Sequence, residues 1–292
     1  MGKYSIKELE QLSGIKAHTI RIWEKRFSII TPQRTSTNIR FYSDEDLKKI
    51  INVSLLNSHG LKISKIAGMS IEEISQKILD MIEKKPETDI YIDQLVVAMV
   101  DLDEEQFEKI LITLVNKFGF ERTITEVVYP FMEKIGILWQ TGTITPAHEH
   151  FISNLIRQRL ITSIASLPFP PKRSKKAILF LPEGELHEIG LLFYHYLARS
   201  YGFKTFYLGQ SVPHQDLQTV YKIHRPDVLI TSMVSSPSAA QFEKYINTLS
   251  QDFSESTILA SGLMLRNTAF RIPKNVKPFY KATELPGLLS AL

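Results

Sequence analysis

The apolar positions of this 292-residue chain change their period twice. In YSIKELEQLSGIKAHTIRIWEKRF, Ile6, Leu9 and Leu12 share one helical face behind Ser5, a good N-cap. Gly14 marks a turn, and Ile15, Ile20 and Trp23 give a second helix its buried side. Lys16, His18, Thr19, Arg21, Lys25 and Arg26 are left facing outward. In TPQRTSTNIRFYSDEDL, Arg34, Arg40 and Tyr42 sit on a short hairpin-like stretch, with Asn38 at a tip that needs left-handed backbone. Ser43 and Asp46 form a capping box for a further helix. From 72 to 166 the period stays helical, as in IDQLVVAMVDLD, QFEKILITLVNKFG and HEHFISNLIRQRLITSIASL. Turns at Asp101-Leu102-Asp103 and Gly119 divide this region into a four-helix bundle. The segment LPFPPKRSKK is a linker, rich in proline and charge. Beyond it the pattern becomes short continuous apolar runs, KAILFL, FKTFYL, DVLITS and TILAS, separated by helical segments. That alternation predicts βαβ units and a parallel sheet covered on both faces.

Composition narrows the function classes. No apolar run approaches the ~18 residues of a membrane span, and MGKYSIKELEQ has no apolar signal region, so a cytoplasmic protein is expected. The chain has no cysteine, which excludes disulfides, thiolate metal sites, iron–sulfur clusters and cysteine nucleophiles. Charge is uneven: residues 1–70 hold 12 Lys and Arg against 6 Asp and Glu, while the whole chain is only +4. A basic head on a slightly acidic body suits a polyanionic partner. Two helices about a glycine, the second one basic, match the helix-turn-helix arrangement, although a solvated basic face would look the same.

The densest chemistry lies in LPEGELHEIG, at the end of the first apolar run. Ligands of open parallel sheets bind at such strand ends. Glu185, His187 and Gly190 have the form E-x-H-x-x-G. A neutral imidazole with a carboxylate on its other nitrogen is a metal ligand with a fixed tautomer, and Gly190 would admit close backbone approach. One histidine cannot hold a protein-ligated zinc, but it can be an axial ligand of a macrocycle that brings its own equatorial nitrogens. A polar loop capping the next helix is the plainer alternative. No glycine-rich dinucleotide or P-loop fingerprint follows, nor any catalytic triad or paired-carboxylate site.

IKELEQLSGIKAHTIRIWEKR followed by RTSTNIRFYSDEDL resembles the winged-helix DNA-binding domain of the MerR family of transcription regulators, over residues 3 to about 70. The resemblance implies base contacts from His18, Thr19 and Arg21, phosphate contacts from Arg40 and Tyr42, and binding as dimers to split palindromes in duplex DNA. Asn38 stands where the family usually has Gly.

Residues 175–292 resemble the cobalamin-binding domain of methionine synthases, mutases and corrinoid proteins, whose pattern is D-x-H-x-x-G, S-x-L and G-G. Here 41 residues separate Gly190 from Ser232-Met233-Val234, and 26 more precede Ser261-Gly262. The departures are Glu for Asp at 185, Val for Leu at 234 and Ser for Gly at 261. The resemblance implies a base-off cobalamin with His187 on cobalt. The preceding bundle, with nine residues between Trp139 and Glu149-His150, resembles the cap domain of light-sensing cobalamin repressors of the MerR family. That implies adenosylcobalamin, with Trp139, Glu149 and His150 near its upper axial group. Gln140 stands where such members commonly have a histidine.

The expected fold is multidomain, α and then α/β. It comprises a winged helix-turn-helix over 1–72, a four-helix cap bundle over 73–166, a linker over 167–175 and a Rossmann-like, flavodoxin-like sheet over 176–292. The expected function is non-enzymatic: a transcription regulator that binds an operator and itself, as dimer or tetramer, and senses light or ligand through cobalamin. A regulator whose cobalamin-like fold serves only protein interaction is the alternative, and a corrinoid carrier subunit of an enzyme is the more distant one.

Overall fold

A computed structural model describes residues 4–34, 38–58, 60–70, 72–74, 76–77, 88–140, 144–234, 239–262, 265 and 271–292. The chain divides into two compact units, Met1–Ile152 and Ser153–Leu292. The first unit opens with α1 (Ile6–Ser13) and α2 (Ala17–Phe27), the two-stranded hairpin β1 (Gln33–Arg34) and β2 (Arg40–Phe41), α3 (Asp44–Ser58) and the single turn α4 (Ile63–Ile66). The expected caps are present. Ser5 and Glu8 cap α1 reciprocally, and Ser43 and Asp46 do the same for α3. Gly14 ends α1 in the left-handed region, φ 73°, and Glu10 then accepts from the backbone N–H of Ala17 to start α2. Asn38 has φ 64°, as a hairpin tip demands.

Among the described residues the helices that follow include α5 (Thr88–Val100), α6 (Glu104–Phe118), α7 (Phe120–Thr123) running on into α8 (Tyr129–Gln140), and α9 (Pro146–Ser166). Between α7 and α8, Ile124–Val128 form a π-helical turn that the apolar period does not reveal. Within this unit α3 packs on α5 and the ion pair Lys48–Asp101 joins the DNA-binding-type head to the bundle. The sequence boundary at residue 72 therefore marks a change of pattern within one compact unit.

The second unit contains β3 (Lys176–Pro182), α10 (Glu188–Ser200), β4 (Lys204–Val212), α11 (His214–His224), β5 (Val228–Ser232), α12 (Ala239–Asp252), β6 (Thr257–Ser261), β7 (Val276–Phe279) and α13 (Leu285–Ser290). All five strands are parallel, in the order β4-β3-β5-β6-β7. Ala177 to Leu181 and Val228 to Ser232 are buried throughout, because helices cover both faces of the sheet. β7, in NVKPFYK, was missed by the pattern. It holds Lys277 and Pro278, which an edge strand tolerates because its outer side needs no ladder partner. No helix among the described residues is long and apolar enough to cross a membrane.

Chain order reverses between β4-β3 and β5, so a crevice opens between the carboxyl ends of β3 and β5. Two details shape it. β4 carries two extra residues relative to β3, with Phe180 opposite Gly209 and Pro182 opposite Val212. Gly209 (φ 79°) and Ser211 (φ 50°) take the left-handed backbone that these bulges need. After β6, Gly262 has φ 137°, and a Cβ there would stand 2.0 Å from the carbonyl oxygen of Met233. Gly262→Ala should therefore destabilise the second unit by about 3 kcal/mol or more, through overpacking and backbone strain together. Denaturant unfolding monitored by circular dichroism checks this.

His195 on α10 stacks on Tyr207 of β4, centroids 4.9 Å apart, and its Nε2 lies 2.9 Å from the Thr205 hydroxyl. Burial, aided by Arg199, lowers its pKa to about 4. The unfolded chain, with an ordinary histidine near 6.5, then binds the extra proton. Stability should fall as pH drops from about 6.5 towards 4, with about 3 kcal/mol at stake for this residue. Unfolding curves of wild type and His195→Gln over that window should diverge at high pH and converge at low pH.

Candidate functional site

The loop after β3 turns at Gly184, φ 82°, and is fastened from both neighbouring strands. From β4, the Ser211 hydroxyl accepts from the Gly184 N–H (3.0 Å), the Ser211 N–H donates to the Glu185 carbonyl (3.2 Å) and the Gln210 amide donates to the Leu186 carbonyl (2.7 Å). From the β5 side, the Val234 N–H donates to Glu185 Oε2 at 2.8 Å. Glu185 Oε1 accepts from the N–H groups of Leu186 (2.9 Å) and His187 (3.0 Å) and from His187 Nδ1 (2.6 Å). The carboxylate is 3% exposed, whereas the His187 side chain is 61% exposed. A carboxylate only accepts, so Nδ1 is the donor in this contact, and in the neutral ring that leaves the lone pair on Nε2.

Ser232 and Val234 meet Ser261 and Gly262 at the same crevice. The Met233 N–H donates to the Ser261 carbonyl at 2.9 Å, a contact close enough to require Gly262. The Ser261 hydroxyl accepts from Tyr194 at 3.3 Å, and the buried Tyr194 ring packs edge-on to Phe279, centroids 5.0 Å apart. Burial raises the Tyr194 pKa. Gly190 lies in the first turn of α10, where a Cβ would meet Tyr194 only at an ordinary 3.9 Å. The chain's own packing thus requires glycine at 262 and leaves room for a side chain at 190. A cavity of about 680 Å³ opens beside the loop, lined by Glu185, Val212, His214, Met233, Phe242 and Tyr245 among others. Leu186 and Val234 are exposed next to His187.

The donor set decides what His187 can hold. Among the described residues no group of three or more His, Cys, Asp and Glu is placed to chelate a metal ion. A single oriented imidazole at an apolar rim suits a metal that arrives already bound in a planar macrocycle, and the residues present fit a cobalamin in that sense.

In the first unit, Glu149 and His150 lie in the first turn of α9, with His150 Nδ1 3.0 Å from Glu149 and the imidazole well exposed. His148 Nδ1 is 2.8 Å from the Thr145 hydroxyl and accepts from its N–H, and burial lowers its pKa. The side chains of Trp139 and Gln140 lie outside the described residues.

On α2, Ile20 and Trp23 are buried and His18 and Arg21 exposed, with Thr19 half-buried between the faces. Ile22 is also exposed, and its signal in the sequence is a break from the buried period of Ile20 and Trp23. Arg40 is exposed on the hairpin. Tyr42 requires a correction. It is fully buried, its hydroxyl donates to Glu24 at 3.1 Å, and burial with Glu24 pushes its pKa up to about 12. Glu24 also lies 3.9 Å from Arg40. Tyr42 thus ties the hairpin to α2 and does not stand on the outer surface with Arg40. Gln210 and Ser211, which hold the His187 loop, were not singled out, since polar residues at the end of a strand carry no special pattern.

Comparison with known proteins places these features. Residues 4–73 match the MerR HTH family regulatory protein domain, and residues 91–162 match a B12 binding domain. The HTH-type transcriptional repressor CarH of Myxococcus xanthus is 29% identical over 256 residues, 85% of this chain and 84% of that protein. The repressor CarA of the same organism is 26% identical over 263 residues, 89% of this chain and 87% of that protein. The monomethylamine corrinoid protein of Methanosarcina barkeri shares the fold, with a TM-score of 0.55 at 16% identity, over 70% of this chain and all of that one. The chain thus carries a MerR-type HTH segment and a B12-binding-domain segment, and over most of its length it is similar to the transcriptional repressors CarH and CarA.

Proposed function

We propose that this regulator binds adenosylcobalamin with His187 as lower axial ligand and uses it, in the cytoplasm, to sense light or the ligand itself. The observation that carries this reading is Glu185, a buried carboxylate that orients the exposed His187 ring and also grips the Val234 N–H. Ser232, Val234, Ser261 and Gly262 would hold the cofactor beside it, and Trp139, Glu149 and His150 would help to hold its adenosyl group. When bound, adenosylcobalamin supplies a light-labile cobalt–carbon bond, chemistry that belongs to the cofactor. The chain's part is to present a neutral imidazole from below and to exist in assembly states that hold the loaded form unequally. Self-association, as dimer or tetramer, then sets operator affinity. His18, Thr19 and Arg21 read bases and Arg40 contacts phosphate. A cofactor-free interaction module is the second reading, and the Tyr194–Ser261 contact favours it by filling space beside the crevice.

Titration of the purified chain with adenosylcobalamin in the dark should give a base-off, imidazole-ligated spectrum. His187→Ala should lose that ligation, and Glu185→Ala should weaken uptake about 10–100-fold. Absence of uptake of any cobalamin by wild type would leave the interaction module as the reading. Sizing chromatography of the loaded chain before and after illumination tests the assembly switch.

For duplex DNA, Arg40→Ala should weaken binding across sequences and flatten the salt dependence by about one unit of slope. His18→Ala or Thr19→Ala should instead relax base preference. Equal affinity of wild type and the Arg21→Ala, Arg40→Ala double variant for a selected operator would count against this interface.

A further inference from the structure

Glu188 directly follows His187, yet its side chain turns inward and is 9% exposed. Oε1 accepts from the Tyr207 hydroxyl at 2.8 Å and Oε2 from Arg157 Nε at 2.9 Å. A carboxylate withdrawn from water is tolerated only when such donors satisfy it, and removal of one partner leaves a buried charge uncompensated. The Tyr207 donor is itself fixed, while Arg157 reaches Glu188 with half of its own side chain exposed. The Tyr207 ring is stacked against His195, and burial together with Glu188 keeps its hydroxyl protonated. Gly209, beside the bulge in β4, leaves only 3.5 Å between its Cβ position and Glu188 Oε1. Arg157 arrives from α9, the helix whose first turn holds Glu149 and His150. His187 is the N-cap of α10 and makes no side-chain capping bond to it, so the start of that helix is anchored by Glu188.

Two carboxylates thus bracket His187. Glu185 orients its ring from the preceding loop, and Glu188 pins the backbone that follows it to β4 and α9. A helix-terminal acid in water would gain a little from the helix dipole and nothing from an arginine on another helix. The burial and the two donors from separate elements call for a different explanation.

We propose that Arg157 and Tyr207 are positioning residues for His187, acting through Glu188, and that α9 thereby sets how well the imidazole is presented to a metal. The proposal rests on the reading of His187 as an axial ligand. It differs from that reading in assigning the control of His187 to residues outside the crevice motifs.

The test is a double-mutant cycle in the full chain with Arg157→Ala, Glu188→Gln and the pair, alongside Tyr207→Phe and the conservative Arg157→Lys. Two quantities are read. One is adenosylcobalamin affinity, with the fraction of bound cofactor that carries imidazole. The other is the NMR resonance of the His187 Nδ1 proton in the cofactor-free chain, identified by its loss in His187→Ala. Each single disruption should weaken uptake about 10-fold, within the range for outer partners of a metal ligand. The paired variant should lose no more than Glu188→Gln alone, since one interaction is removed twice. Arg157→Lys should recover most of the affinity, and the Nδ1 resonance should shift or broaden in the disrupted variants. An unmoved resonance with unchanged affinity, or additive losses in the pair, would overturn the proposal. Failure of wild type to take up cobalamin would count against the axial-ligand reading instead, while the resonance in the cofactor-free chain still decides the positioning role. Tyr207→Phe removes a donor without a charge, so it stays informative if Glu188→Gln unfolds.

Discussion

The site depends on one buried carboxylate. Glu185 accepts four hydrogen bonds, three from its own loop and one from Val234 across the crevice. A carboxylate so placed would be costly if any donor were missing. Its burial therefore couples the loop after β3 to the loop after β5, the two strands at which chain order reverses. The resemblance pattern has Asp at this position. The longer arm of Glu lets one oxygen engage His187 while the other reaches Val234 N–H. The departure at 185 is thus accommodated by the geometry and adds a tie to the neighbouring strand.

The same economy recurs in the basic head. Glu24 on α2 receives the Tyr42 hydroxyl and faces Arg40, so a single acid relates the hairpin to α2. Arg40 is exposed beside Glu24, whereas Tyr42 is buried beneath it. This difference separates two residues that the spacing of RFYSDEDL could not tell apart.

Legibility followed the length of the physical signal. The interior strands β3, β5 and β6 were readable because burial on both faces leaves continuous apolar runs, and the edge strand β4 was readable because FKTFYL keeps an apolar run even though it is only partly buried. Residues 276–279 were not readable, because an edge strand keeps polar side chains and accepts a proline. The N-cap at Ser5, the capping box at Ser43 and the left-handed Asn38 were readable because each depends on residues within four positions. The grip of Ser211, Gln210 and Val234 on the His187 loop was not. Those contacts join residues 24 to 49 positions apart, and three of the four use backbone N–H groups that every sequence contains.

Glycine shows the limit most sharply. The motif singles out Gly190, yet Gly190 meets only Tyr194 at an ordinary distance, while Gly262 faces the Met233 carbonyl at a distance no side chain could survive. A motif records what a ligand asks of a chain as well as what the chain's own packing asks. Where packing alone explains the residue, as at 262, the glycine holds β5 and β6 in register at the crevice. Where packing leaves room, as at 190, the chain's own packing does not account for the glycine. The open side of Gly190 faces the buried Tyr194 hydroxyl and through it Ser261, so whatever occupies that corner has to displace, or pack against, a tyrosine already satisfied by a neighbour.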